Sequence, residues 1–161
     1  MTLFIDNLLF SLRGSSIATD LKGNKKYEIK GKFFSFSRRK YVLDANGKCL
    51  YLVRNKYFNF LSRQAIVYDG TGKKLLRLVK APLSFGPKFY TKDYPDELYF
   101  DGEFGGFNYT VSKNGRKVAS IHKPLNFIRD KFQLDIAESE DPAFFVALII
   151  AIDNILDART N

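Results

Sequence analysis

Residues 143–152 read Ala143-Phe144-Phe145-Val146-Ala147-Leu148-Ile149-Ile150-Ala151-Ile152, ten in a row without a polar side chain. Ser139-Glu140-Asp141-Pro142 stands directly before them. Asp141 is a good N-cap, and Pro142 suits the first helical position because its missing N–H would have no partner there anyway. Glu138, Glu140 and Asp141 lie where the positive end of a helix dipole favours carboxylates. The pattern predicts a helix over residues 142–157. At about 100° per residue, ten residues cover every side of a helix. A surface helix keeps a polar face, whereas a helix that is apolar all round must be buried all round. A membrane-spanning helix needs about 20 apolar residues, so lipid is not the medium that buries this one. Protein must surround it.

The rest of the chain supplies strands. Asp20-Leu21-Lys22-Gly23, Asp44-Ala45-Asn46-Gly47 and Asp69-Gly70-Thr71-Gly72 share the form Asp-x-x-Gly, and Ser112-Lys113-Asn114-Gly115 is a looser fourth copy. Asp or Ser at the first position bonds the backbone two residues on, and Gly at the last accepts positive φ. Each unit reads as a hairpin turn. Apolar residues fall three and six positions after the last three glycines: Leu50 and Val53, Leu75 and Leu78, Val118 and Ile121. Short β-branched or aromatic runs bounded by turn residues are the strand signature. About ten to twelve such runs lie between Leu8 and Ala137. With one all-apolar helix, they predict a mainly β fold: a closed antiparallel barrel of about twelve strands around a central, buried C-terminal helix. Closure also removes exposed sheet edges. A pleckstrin-like barrel also ends in a helix, but that helix caps the barrel and keeps one polar face, unlike 143–152.

The chain resembles the LURP-one-related family, which has the tubby C-terminal-like fold. The resemblance is carried by Ile17-x-x-Asp20-x-x-Gly23 with Tyr27-x-Ile29-x-Gly31, then by the Asp44-x-x-Gly47 hairpin. Asp101-Gly102 through Tyr109, Val118-Ala119-x-Ile121-x-Lys123, and the helix ending Ala151-Ile152-Asp153 complete it. It covers nearly the whole of residues 1–161, read as a single domain. It implies twelve strands around a central helix. Tubby-like relatives bind phosphoinositide head groups and scramblase-like proteins share the fold, but their ligand residues match no position here. The resemblance implies no activity.

Catalytic and metal chemistry find little support. The chain of 161 residues has one His (His122) and one Cys (Cys49). That is too few for a Cys/His zinc site and excludes an internal disulfide. His122 reads as a surface strand residue and Cys49 as a small strand residue. Asp69-Gly70-Thr71-Gly72-Lys73-Lys74 lacks the Gly-x4-Gly-Lys spacing and the following helix of a phosphate loop. The expectation is a protein that is not an enzyme and needs no cofactor or metal. No secretory leader is visible, which points to a cytoplasmic protein, peripheral at a membrane if it binds one.

Charge is the remaining signal. The net charge is +9. Residues 22–40 hold eight basic side chains against one acid, Glu28, and residues 73–92 hold six against none. Three readings compete: a solvated surface, an anionic lipid head group or membrane surface, and nucleic acid. Lys30-Gly31-Lys32-Phe33-Phe34-Ser35-Phe36 departs from an RNA-recognition strand where Lys32 and Phe33 replace the expected residues, which disfavours nucleic acid. The leading reading is a non-enzymatic binding module for anionic ligands, an anionic membrane lipid head group first and another phosphate-bearing ligand after it. Its candidate contacts are Arg38, Arg39 and Lys40 before one turn and Lys73 and Lys74 after another. The alternative is a structural or protein-interaction scaffold with no lipid ligand.

Overall fold

A computed structural model of the chain describes residues 1–6, 15–31, 38–56, 64–81, 88–102, 108–122 and 131–157. They form twelve strands and one helix. In chain order these are β1 (Thr2–Asp6), β2 (Ser15–Thr19), β3 (Lys25–Gly31), β4 (Lys40–Leu43), β5 (Cys49–Asn55) and β6 (Gln64–Asp69). β7 (Lys74–Lys80), β8 (Phe89–Lys92), β9 (Leu98–Gly102), β10 (Tyr109–Lys113), β11 (Arg116–His122), β12 (Lys131–Ile136) and the helix α1 (Pro142–Asp157) follow. Each strand pairs with the next, and β1 pairs with β12 to close the barrel. Leu3 meets Leu134 and Ile5 meets Phe132 across that seam, all four buried. The barrel and the helix limits agree with the sequence reading.

The turns form for the reasons their residues suggest. Asp20 Oδ1 accepts from the backbone N–H of Lys22 and of Asn24, each at 2.9 Å. Asp44 Oδ1 does the same for Asn46 and Lys48, and Asp69 Oδ1 for Thr71 and Lys73. Gly23, Gly47 and Gly72 hold φ of +80°, +83° and +89°. Each pairing shifts register next to its turn, after Ala18, Val42 and Val67. A type I turn closed by a left-handed residue and a bulge gives this arrangement. The fourth turn corrects the expectation for Ser112. Asn114 and Gly115 are both left-handed, and Lys113 pairs directly with Arg116, so the turn has two residues. That is the geometry Asn-Gly favours. Ser112 lies inside β10, opposite Lys117 and Tyr99.

Gly102 has a different reason to be glycine. It pairs with Tyr109, and a Cβ there would lie 2.3 Å from the Tyr109 ring. The ring needs that space to reach the core, where it meets Phe89 at 6.0 Å between centroids.

Helix α1 runs through the lumen. All of Ala143–Ile152 are at most 7% exposed. Eight strands enclose only enough room for side chains, and a helix about 10–12 Å across needs a wider ring. The Asp141 carboxylate caps the helix by accepting from Ala143 N–H at 2.9 Å. Phe144, Ala147, Ala151 and Asn154 follow 3-4-3 spacing and share one stripe. Its ends both touch β5: Phe144 packs on Tyr51 at 5.8 Å, and the Asn154 carbonyl accepts from Asn55. The alanines between let the helix lie close to that wall. Phe145, Val146, Leu148, Ile149, Ile150 and Ile152 fill the lumen elsewhere.

Two substitutions probe this packing in opposite directions. Leu148→Ala is expected to cost about 2–5 kcal/mol by opening a cavity. Ala147→Leu is expected to cost about 1–3 kcal/mol by pushing the helix off β5. Urea unfolding measures both; a helix with slack around it would absorb either change without loss.

Candidate functional site

Two polar clusters flank α1, one at each end, the entry cluster open to solvent and the far one part-buried. At the entry, Tyr51 Oη donates to Asp141 Oδ2 at 2.5 Å. Burial first, and then that hydrogen bond, push the Tyr51 phenol well above its ordinary pKa, so it remains a donor. Tyr94 stacks on Phe144 at 5.4 Å beside it. Lys113 binds Glu140 at 3.1 Å and Asp96 at 3.3 Å, tying the segment before the helix to β10.

At the far end, Lys40 Nζ lies 2.5 Å from Asp153 Oδ2, with the carboxylate side chain 3% exposed. Asn154 Nδ2 donates to the Arg38 carbonyl at 2.9 Å, and Asn55 Nδ2 to the Asn154 carbonyl at 3.1 Å. Strand alternation explains this placement. Lys40 pairs with Val53 and lies two residues before Val42; both valines are fully buried, so Lys40 faces inward.

The five candidate anion contacts therefore separate. Lys40 points into the barrel and balances a helix carboxylate. Arg38 and Arg39 precede β4, at the end of the barrel where β3 gives way to β4. Lys73 and Lys74 stand at the opposite end, Lys73 in the turn after β6 and Lys74 at the start of β7. The two groups do not form one patch. Much of the first basic stretch is also matched by acids: Lys25 and Lys30 with Glu28, and Lys26 with Asp20. The Phe-rich residues 32–37 lie outside the described residues.

The second stretch gathers more charge than its sequence suggests. Arg54, Ile66, Arg77 and Lys92 pair in turn across β5, β6, β7 and β8. Arg77 lies between the buried Leu76 and Leu78, and Ile66 between the buried Ala65 and Val67, so this row faces outward. Arg77 binds Asp93 through Nε at 2.7 Å and Nη2 at 3.0 Å, and Lys74 Nζ reaches the same carboxylate at 2.5 Å. Arg77 first, then Lys74, hold the Asp93 carboxyl well below the ordinary range. Arg54 belonged to neither basic stretch; only register brings it here.

Catalytic arrangements fare poorly. A shallow depression of about 460 Å³ is lined by Asp101, Asn108, Thr110, Ser120 and His122 among others. His122 Nδ1 is 3.9 Å from Asp135 Oδ2, beyond hydrogen-bond distance. Ser120 and His122 are alternate residues of one strand, roughly 6–7 Å apart, so they do not form a nucleophile–base pair. Cys49 is half-buried and its thiol pKa is pushed up by burial, the opposite of an activated thiolate. Among the described residues, no cluster of three or more His, Cys, Asp or Glu could hold a metal, and no helix is long and apolar enough to cross a membrane.

Comparison with known proteins agrees with the architecture. The sequence pattern described as LURP-one-related matches residues 1–153. The chain belongs to the LURP-one-related family. The crystal structure of an Arabidopsis thaliana protein superimposes with a TM-score of 0.68 at 16% identity, covering 96% of this chain and 91% of that one. At that identity the likeness shows the fold. No curated protein matches the sequence. For this LURP-one-related chain, the family and the barrel are consistent with a binding module.

The interior ion pair is testable by a double-mutant cycle. Lys40→Met removes the cation opposite a buried carboxylate and is expected to cost about 3–5 kcal/mol. Adding Asp153→Leu should recover most of that loss. Additive losses in chemical denaturation would show the two groups to be uncoupled.

Acid should destabilise the fold in a defined direction. Asp20 is lowered to about 2, chiefly by the Asn24 side-chain bond, and Asp69 is lowered chiefly by Thr71. A carboxyl with a depressed folded pKa stabilises the fold above its unfolded value, near about 4, and that contribution is lost as pH falls through the folded value. The thermal unfolding temperature should therefore fall between about pH 4 and pH 2, and Asp20→Asn should flatten this fall. An unchanged slope in that variant would remove Asp20 from the account.

Proposed function

We propose that the protein is a non-enzymatic binding module that docks on anionic lipid head groups at a membrane surface. The supporting observation is the division of the barrel. Its lumen is filled by α1, and among the described residues no Lys or Arg is fully buried, so their charge is presented on the outer wall and rims. Recognition then takes place outside, through side chains that pair with head-group phosphates and carboxylates. Lys73 and Lys74 are the primary contacts, with Arg38 and Arg39 a separate contact at the other rim. Lys40 supports the second contact from within, by fixing the start of β4 against the helix. Each cation near an anionic surface contributes about 1 kcal/mol, fading within a Debye length, so the binding is weak and salt-sensitive.

A scaffold without a lipid ligand is the second reading. The pairing of Lys25, Lys26, Lys30, Lys88 and Lys113 with acids of the same chain favours it, because such cations are already neutralised.

Flotation with vesicles of phosphatidylcholine, with and without phosphatidylserine, separates the two. The lipid reading expects binding to the anionic vesicles at low salt only. It expects a loss of about tenfold or more for Lys73→Glu with Lys74→Glu. Equal flotation on both vesicle types would leave the scaffold reading.

A further inference from the structure

Asp93 is an acid placed at the centre of a cationic face. Arg54, Ile66, Arg77 and Lys92 form one outward row across four strands, and Lys74 pairs with Tyr68 beside that row. At about 4.8 Å per strand the row is roughly 14 Å wide. Asp93 accepts two bonds from the Arg77 guanidinium and one from Lys74. This is the fork geometry in which Arg receives a carboxylate or phosphate. Asp93 also has φ of +62°, a backbone region that a non-glycine residue occupies when its surroundings hold it there. The carboxylate is 39% exposed, so a ligand in solvent can compete for the same donors.

We propose that the outer face of β5–β8 is the docking face for an anionic membrane surface, and that Asp93 occupies its Arg77–Lys74 fork as an intramolecular competitor. This rests on the reading of the protein as an anionic-lipid binder and locates its regulation. In the free protein the fork is neutralised by its own carboxylate. At a membrane, a head-group phosphate or carboxylate replaces Asp93 on Arg77 and Lys74, and Arg54 and Lys92 meet neighbouring lipids. Two observations favour a lipid surface. The row lies on the convex outside of a barrel wall, which suits a broad anionic plane. Its aromatic faces are also occupied: Arg54 lies over the Tyr68 ring at 4.8 Å and Lys92 over the Tyr90 ring at 5.6 Å. Nucleic acid bound by stacking needs such faces open.

The test uses the full chain and vesicles containing phosphatidylserine. Asp93→Asn removes the competing charge and keeps a residue that tolerates left-handed backbone. It should bind about fivefold more tightly than the native protein. Glu138→Gln, an equal charge change at an exposed site before the helix, should leave binding unchanged. Arg54→Gln with Arg77→Gln should weaken binding about twentyfold. Circular dichroism and thermal unfolding confirm that each variant folds. If the arginine pair matters but Asp93→Asn binds as the native protein does, or if Glu138→Gln strengthens binding equally, the competitor role is overturned. Tighter binding to a single-stranded oligonucleotide than to vesicles at the same salt would overturn the lipid assignment. If neither the native protein nor Asp93→Asn distinguishes phosphatidylserine from phosphatidylcholine vesicles, the underlying lipid reading itself falls.

Discussion

Burial of an all-apolar helix inside a closed sheet is the constraint on which the rest of the structure depends. Helix and barrel each lack half of a core. The helix has no face that tolerates water, and a twelve-strand ring without it would enclose a void lined by Leu3, Val53, Leu76, Phe100 and their neighbours. Neither can bury its apolar surface alone, and both gain when the seam between β1 and β12 closes. The polar residues at the two helix ends then set depth and rotation. Asp141 meets Tyr51 at the entry, while Asp153 and Asn154 meet Lys40, Asn55 and the Arg38 carbonyl at the far end. A slide or turn of the helix would break bonds at both ends, and at the far end, where Asp153 and Asn154 are buried, an unmet polar group is costly.

The architecture was legible because its signals are local. Ten apolar residues in a row need no register to be interpreted, and Asp20, Asp44 and Asp69 bond within four residues of themselves. Ser112 misled because the four-residue frame fitted two different turns. The strong Asn114-Gly115 pair was the better guide, since both residues accept positive φ. Gly102 showed its meaning only once Tyr109 was known to lie opposite it.

The site was less legible, because neighbours along the chain are not neighbours on a barrel. Arg38, Arg39 and Lys40 look like one basic triplet, yet strand alternation turns Lys40 inward. A signal for this did exist: Asp153 closes an apolar helix and demands a cation, and a basic residue at the start of a strand could supply it. Which one it is depends on register, as does the row that joins Arg54 to Arg77 and Lys92 across three strand boundaries. Single-sequence reasoning fixes where strands turn far better than which residues face each other.

These two levels meet in the outer wall. Its cations are carried by β5, β7 and β8, and β5 and β7, with β6 between them, are among the strands the helix lies against. Their register is thus set from inside, by packing that surface chemistry does not disturb. A face mounted in this way presents its charges at fixed spacing, and ligands can change its occupancy without reshaping it. On the proposed reading, affinity is governed by how many of those charges are already neutralised, which gives Asp93, the acid held in the Arg77–Lys74 fork, the greatest leverage. The same reasoning separates Lys40 from Lys74. Both meet a carboxylate at the same distance, but Lys40 does so at 16% side-chain exposure and Lys74 at 42%. The first pair is shielded from water and serves the fold. The second is open to solvent and to competition from other anions.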